Sequence, residues 1–84
     1  MTLALYVLDV PEFVPLVRAA EAARMTSRRI GDYVELSTAA DEVTISRAGT
    51  GIRTAVWHAA LTGGLDARIG SFDSETLHLV KEGQ

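Results

Sequence analysis

Residues 47–64 read Arg47-Ala48-Gly49-Thr50-Gly51-Ile52-Arg53-Thr54-Ala55-Val56-Trp57-His58-Ala59-Ala60-Leu61-Thr62-Gly63-Gly64. Thr50 is a favourable N-cap residue, and Gly63 suits the left-handed position that follows a helix. Between these two residues an apolar stripe recurs at helical spacing, at Ile52, Ala55, Val56, Ala59 and Ala60. The stretch therefore predicts an amphipathic helix whose apolar stripe faces a core.

The opposite face of this predicted helix is not typical of a solvent-exposed surface. It carries Trp57 and Leu61, which are four residues apart and therefore touch on one side of a helix. A large aromatic beside a Leu indicates that something covers both. We expect a second copy of the chain, or a late strand, to cover Trp57. In the alternative, the helix has a different phase and Trp57 belongs to the core of its own chain.

The length of the chain favours self-association. Its 84 residues predict a single domain, residues 1–84. A domain of this size buries only about two-thirds of the surface that its unfolded chain exposes. The sequence contains no Cys, so disulfides cannot add stability. We therefore expect a homodimer.

Composition limits the partners and the compartment. The net charge of −3 makes a nucleic-acid partner unfavourable, because such binding depends on Lys and Arg against phosphate. No apolar run reaches transmembrane length, and the first residues lack the features of a signal peptide. The absence of Cys is compatible with a reducing compartment. These features predict a cytoplasmic protein with no membrane contact.

The remaining elements follow from periodicity along the chain. Residues 3–8 are apolar on both faces, as in a central strand that is covered on both sides. Asp9 is a helix N-cap candidate, and an apolar stripe follows at Phe13, Leu16, Val17, Ala20 and Ala23. Because Pro15 lacks a donor, we expect an irregular first turn or a helix start near Phe13, and an end around Arg24 or Met25. Further strands are predicted at 30–37, with a bulge or bend at Gly31-Asp32, and at 43–46, 67–72 and 76–80.

The predicted element order is β-α-β-β-α-β-β. Its first six elements match the ferredoxin-like pattern. The predicted fold is therefore α+β, with an antiparallel sheet of about five strands and two helices on one face. Residues 43–46 would pair back on residues 30–37 as a hairpin. If the last two strands instead form a long ribbon, the sheet order is not ferredoxin-like.

The Gly-x-Gly loop is a candidate anion site. Gly49 and Gly51 allow close approach of a ligand to the backbone, and a helix N-terminus favours negative charge. Arg47 or Arg53 would then pair with a phosphate or carboxylate. The loop lacks the Gly-Lys-Thr/Ser of a P-loop and the third Gly of a dinucleotide fingerprint. A plain strand-to-helix turn explains the glycines equally simply.

His58 is the candidate for acid–base catalysis, because the ordinary pKa of His lies near neutrality. Thr54 precedes it by four residues, and Arg53 has the same spacing to Trp57. These four side chains would line a pocket for an aromatic or carboxylated ligand. The competing interpretation is a structural His58 at a subunit interface. Tyr33 and Glu35 share a strand face, but an exposed face explains both without any chemistry.

Three functional hypotheses follow. The first is a binding or interaction module for a protein partner or for a small ligand near the second helix. The second is a small lyase or isomerase with His58 as acid/base and Arg47 or Arg53 as the carboxylate anchor. The third is an RNA-contacting module that uses Arg24, Arg28 and Arg29. No cofactor is expected, and two His without any Cys make a structural metal unfavourable.

Overall fold

Residues 2–81 are described by a computed structural model, and within them the chain forms seven strands and two α-helices. The strands are β1 (Leu3–Leu8), β2 (Thr26–Ile30), β3 (Tyr33–Thr38), β4 (Glu42–Ser46), β5 (Leu65–Asp66), β6 (Arg68–Phe72) and β7 (Thr76–Val80). The helices are α1 (Val14–Ala22), preceded by a 3-10 turn at Pro11–Phe13, and α2 (Thr54–His58). No helix in this part of the chain has the length and apolarity needed to cross a membrane.

The strands form two antiparallel sheets, so the prediction of one ferredoxin-like sheet of five strands is wrong. One sheet has the order β2-β3-β1-β5, and the other has the order β4-β7-β6. The difference begins at Gly31-Asp32, which is a two-residue hairpin turn and not a bulge, because Ile30 pairs directly with Tyr33. The residues before the turn therefore become β2 and take the place beside β3 that was predicted for residues 43–46.

β4 instead joins the C-terminal hairpin. Val43 lies opposite Leu79 and Ile45 opposite Leu77, and all four side chains are buried. The alternation of buried and exposed residues along β4 was the expected one. Only its partner strand differs, because alternation specifies which face of a strand is buried and not which strand lies beside it.

A single cluster of apolar side chains joins the two sheets. The four-stranded sheet contributes its inner face from β1 and β3, and the three-stranded sheet contributes its inner face from β4 and β7. α1 lies against β2, β3 and β4 and so contacts both sheets. The buried members of the cluster are Leu3, Leu5, Val7, Phe13, Leu16, Ala20, Met25, Val34, Leu36, Val43, Ile45, Ile52, Trp57, Ala60, Leu77 and Leu79.

α1 begins and ends with different local chemistry. The expected irregular first turn is present, but Asp9 does not cap it, and its carboxylate lies 3.2 Å from Nε of Arg29. At the other end the N–H of Arg24 donates to the carbonyl of Glu21, and the N–H of Met25 donates to the carbonyl of Ala20. This is the Schellman arrangement, and it places Arg24 at a left-handed φ of 69°.

α2 is shorter than predicted and has a different phase. It begins at Thr54, because Thr50 closes the preceding turn: its hydroxyl accepts from the N–H of Ile52 at 3.2 Å. Trp57 is fully buried and Ala55 is exposed, whereas Ile52 and Ala60 of the predicted stripe are buried. The core face is therefore rotated toward Trp57, as the alternative phase has it. The chain after α2 lies close to β1, since a Cβ on Gly63 would collide with the carbonyl oxygen of Tyr6.

Replacing Arg24 by Gly should stabilise the protein. A left-handed conformation is unfavourable for a side chain with a Cβ by about 1 kcal/mol, whereas Gly adopts it freely. We expect Arg24→Gly to raise the free energy of unfolding by about 1 kcal/mol in urea titrations. Ala23→Gly is the matched control, because Ala23 has a negative φ of −87° and its replacement should lower stability. Equal effects of the two substitutions would contradict the Schellman assignment.

Candidate functional site

Trp57 is a structural residue of the core. Its side chain has no exposed surface, and its indole N–H donates to the carbonyl of Asp73 at 2.6 Å. The ring of Phe72 lies beside it, with the ring centroids 5.9 Å apart. Trp57 therefore anchors the turn between β6 and β7 to α2. Of the two expected covers of Trp57, a second copy is wrong and a late strand is correct, because the indole is buried within its own chain with Phe72 of β6 beside it.

Arg47 is held by its own chain. Its guanidinium donates to the carbonyl of Ser74, to the carbonyl of Ile52 at 2.9 Å and to the carboxylate of Glu75 at 3.1 Å. The backbone N–H of Arg47 also donates to the carbonyl of Glu75. These contacts tie the Gly-x-Gly loop to the β6–β7 turn. A ligand that used Arg47 as its anchor would have to displace them.

Asp73 orders the same turn. One carboxylate oxygen accepts from the backbone N–H groups of Glu75 and Thr76, each at 2.8 Å. These two hydrogen bonds hold the pKa of Asp73 below its ordinary value. Since a lowered pKa stabilises the folded state only while the carboxyl is ionised, this contribution is lost as the pH falls through that pKa. The turn that receives Trp57 and Arg47 is thus an internally bonded unit.

The two glycines of the predicted anion site, Gly49 and Gly51, line different clefts. Both have left-handed φ angles, 75° at Gly49 and 77° at Gly51. Gly49 lines a cleft of about 310 Å³ against α1, with Arg18 among its other residues. Gly51 and Arg53 line a different cleft, of about 410 Å³, together with Glu12. The loop also stops short of α2, so the predicted start of the helix at the loop is wrong.

His58 lies on the exposed surface. Its ring lies beside that of Phe72, with the centroids 5.5 Å apart, at the C-terminal end of α2. Thr54 is exposed at the start of the same helix. Neither residue lines the cleft that Gly51 and Arg53 share. The structure thus brings together Gly51 and Arg53 but not His58 and Arg47, and the catalytic role of His58 stays a prediction.

Between residues 2 and 81 no group of three or more His, Asp or Glu side chains is arranged to hold a metal ion. His78 pairs with a single carboxylate, that of Glu42, at 3.1 Å across β7 and β4. This contact is a cross-strand pair on the face of the three-stranded sheet that points away from the core.

The four-stranded sheet has one face away from the core, which we call the open face. Register aligns its side chains in rows across the strands. Arg28 lies opposite Glu35, and Glu35 lies opposite Tyr6. Two residues further along each strand, toward the β2–β3 turn, Ile30 lies opposite Tyr33, and Tyr33 lies opposite Leu8. The open face therefore has two adjacent rows. The charged row is Arg28, Glu35 and Tyr6, and the apolar row is Leu8, Tyr33 and Ile30.

The charged row is a connected network. The hydroxyl of Tyr6 donates to one carboxylate oxygen of Glu35 at 3.0 Å, and Arg28 lies 3.4 Å from the other oxygen. The bond to Glu35 raises the pKa of Tyr6, because it favours the neutral phenol beside a carboxylate. These side chains line a cleft of about 320 Å³ whose other charged residues are Asp66 and Lys81. The sequence indicated that Tyr33 and Glu35 share a face but gave no signal that Tyr6 joins them.

The apolar row is exposed. Leu8, Tyr33 and Ile30 keep 40%, 38% and 41% of their surface in solvent. The expectation that residues 3–8 are covered on both faces therefore fails at Leu8. Large apolar side chains that adjoin one another on a surface are typical of interaction sites. Sequence reasoning missed this row, since Leu8 is far from Ile30 and Tyr33 in the chain and only strand pairing brings the three side chains together.

Trp57→Ala should destabilise the monomer itself. Removing a fully buried indole leaves a cavity that costs about 3–5 kcal/mol, a large part of the stability of a small domain. Circular dichroism during urea unfolding measures the change. His58→Ala, one residue later and exposed, is the control and should change stability by less than about 0.5 kcal/mol. A Trp57→Ala variant as stable as the wild type would contradict the core position of Trp57.

Comparisons of this chain with protein-family models, with curated proteins and with solved structures find no match. The function must therefore be inferred from the chain's own surfaces. Those surfaces are the loop and cleft near α2, which hold Gly51 and Arg53, and the open face with its charged and apolar rows.

Proposed function

We propose that the protein is a cytoplasmic interaction module whose chains form a homodimer through the open face. The observation that carries the proposal is the apolar row, in which Leu8, Tyr33 and Ile30 adjoin across three strands and are each exposed. Burying such side chains against apolar surface is favourable by about 25 cal/mol per Å². In a single chain this row stays in water, so the favourable free energy of its burial is realised only when a partner covers it.

The charges on the open face favour a second copy over a charged partner. Arg28 and Lys81 balance Glu35 and Asp66 around one cleft, although the whole chain has a net charge of −3. In a two-fold interface the same patch meets itself, so a patch with net charge would repel its copy. A balanced patch lacks this repulsion, and its charges can pair across the axis.

The polar network also suits an interface. Glu35 is held by both Tyr6 and Arg28, and only 18% of its side chain is exposed. Its carboxylate therefore already has partners when a second sheet excludes water from the row. A buried carboxylate with partners is tolerated at an interface, whereas an unpaired one would oppose association.

Light scattering of wild type and variants tests the proposal. We expect the wild type to have twice the 9.0 kDa mass of one chain, and Tyr33→Glu and Leu8→Glu to have the mass of one chain. Each variant places a charge in the apolar row, where burial would leave it unpaired. Ile69→Glu is the matched control, because Ile69 is 46% exposed on β6 of the other sheet.

Circular dichroism identifies the variants that remain folded, and only those are compared. A monomeric wild type would contradict the proposal. A dimer that survives Tyr33→Glu and Leu8→Glu, or one that Ile69→Glu also dissociates, would place the interface elsewhere.

A further inference from the structure

We propose that the free edge of β2 binds an extended acidic peptide of a partner protein, which adds to the four-stranded sheet as a fifth strand beside α1. This edge adjoins the open face at Arg28, and the inference does not depend on the homodimer. It rests on three features: hydrogen-bonding groups directed away from the sheet, a groove along α1, and a local excess of Arg.

β2 is a terminal strand of its sheet, paired only with β3 among residues 2–81. Ile30 and Tyr33 close the two-residue hairpin, so they are a hydrogen-bonded pair. Since such pairs alternate along an antiparallel ladder, Arg28 and Thr26 also bond to β3. The N–H and C=O groups of Ser27 and Arg29 therefore point away from the sheet. An added strand would bond to those groups.

α1 packs beside β2 and runs next to this edge. A groove of about 290 Å³ runs between α1 and β2, and its apolar residues are Val14, Val17 and Val34. Val14 is 44% exposed there. Alternate side chains of a strand point to opposite faces. Every second side chain of an added peptide would therefore lie against the apolar residues of the groove, and the others would lie on the open face beside Arg28.

The Arg residues around the groove favour an acidic peptide. The groove is lined by Arg18, Arg28 and Arg29 against Asp9 and Glu21, an excess of one positive charge among its lining residues on a chain whose net charge is −3. Glu35, which contacts Arg28 from the open face, lies outside that lining. Asp9 is paired with Arg29, and Glu21 accepts a hydrogen bond from Ser27. Arg28 keeps 70% of its side chain exposed although it contacts Glu35. These exposed guanidinium groups attract acidic side chains.

A second copy of β2 fits the edge less well. In the fully overlapping antiparallel register, Arg28 of one chain would lie directly opposite Arg28 of the other. Like charges in that position are destabilising. Positive charges on an edge strand are also a known barrier to pairing between copies of one protein. The same residues that oppose self-pairing thus favour an acidic strand.

The probe is a fluorescein-labelled peptide of sequence Glu-Val-Glu-Val-Glu, blocked at both ends, in fluorescence anisotropy titrations. Val residues suit the groove, and Glu residues suit Arg28. We expect saturable binding that weakens as salt is added. The matching Lys-Val-Lys-Val-Lys peptide should bind at least about tenfold more weakly, because it replaces attraction by repulsion.

Ser27→Pro is the decisive variant. It removes an N–H that points away from β3, so the hairpin keeps its hydrogen bonds, and Pro is tolerated at such edge positions. We expect affinity for the acidic peptide to fall by about tenfold or more. Ser27→Ala is the matched control, because it loses the same hydroxyl but keeps the N–H, and its affinity should stay within about twofold of wild type.

A second pair of variants keeps the test valid if Ser27→Pro does not fold. Arg28→Glu should abolish binding of the acidic peptide, and Arg68→Glu, an equal charge change on β6, should leave it unchanged. Binding that is absent, that is equal for the Lys peptide, or that survives both Ser27→Pro and Arg28→Glu would overturn the inference.

Two further outcomes would assign the edge to another occupant. Oligouridine RNA that binds more tightly than the acidic peptide, with loss in Arg28→Glu and none in Ser27→Pro, would indicate a nucleic-acid surface. A dimer mass that Ser27→Pro alone reduces to one chain would indicate self-pairing at the edge. If the mass instead depends on Tyr33 and the peptide does not bind, the homodimer stands and only the peptide site fails.

Discussion

The buried indole of Trp57 is the contact that fixes the segment between β4 and β5 to the three-stranded sheet. It belongs to the core cluster that joins the two sheets, and its N–H bond to Asp73 holds α2 against the β6–β7 turn. Arg47 ties the other end of the same loop to that turn through Ser74 and Glu75. The segment between β4 and β5 is therefore bonded to the three-stranded sheet at two points, and Arg47 and Trp57 stabilise the fold.

These contacts explain why the residue types near α2 suggested a ligand site that the structure does not assemble. An Arg beside a Gly-x-Gly loop, followed by a Trp and a His, is a reasonable pattern for a ligand site. In the structure, Arg47 and Trp57 have partners in their own chain. Phase was the second difficulty: the stripe of small Ala residues fits more than one orientation of a short helix, and the large indole gains more from burial than two methyl groups do.

Much of the fold could be read from periodicity. Strands β1, β4 and β7, the stripe of α1 and its irregular start follow from the spacing of apolar residues. β2 could not be read in this way, because Thr26–Ile30 is polar and exposed and lacks alternation. Its strand character comes from the turn at Gly31-Asp32 and from pairing with β3. The open face depends on that pairing, so its rows were equally hidden in the sequence.

The most direct test of this account is the partner of β4 in solution, measured as cross-strand backbone nuclear Overhauser effects on isotope-labelled protein. The two-sheet fold predicts effects between Thr44 and His78, which lie opposite each other. It also predicts effects between Arg28 and Glu35 in the other sheet. Effects that join β4 to β3, as one five-stranded sheet would require, would contradict the fold and remove the free edge of β2 with it.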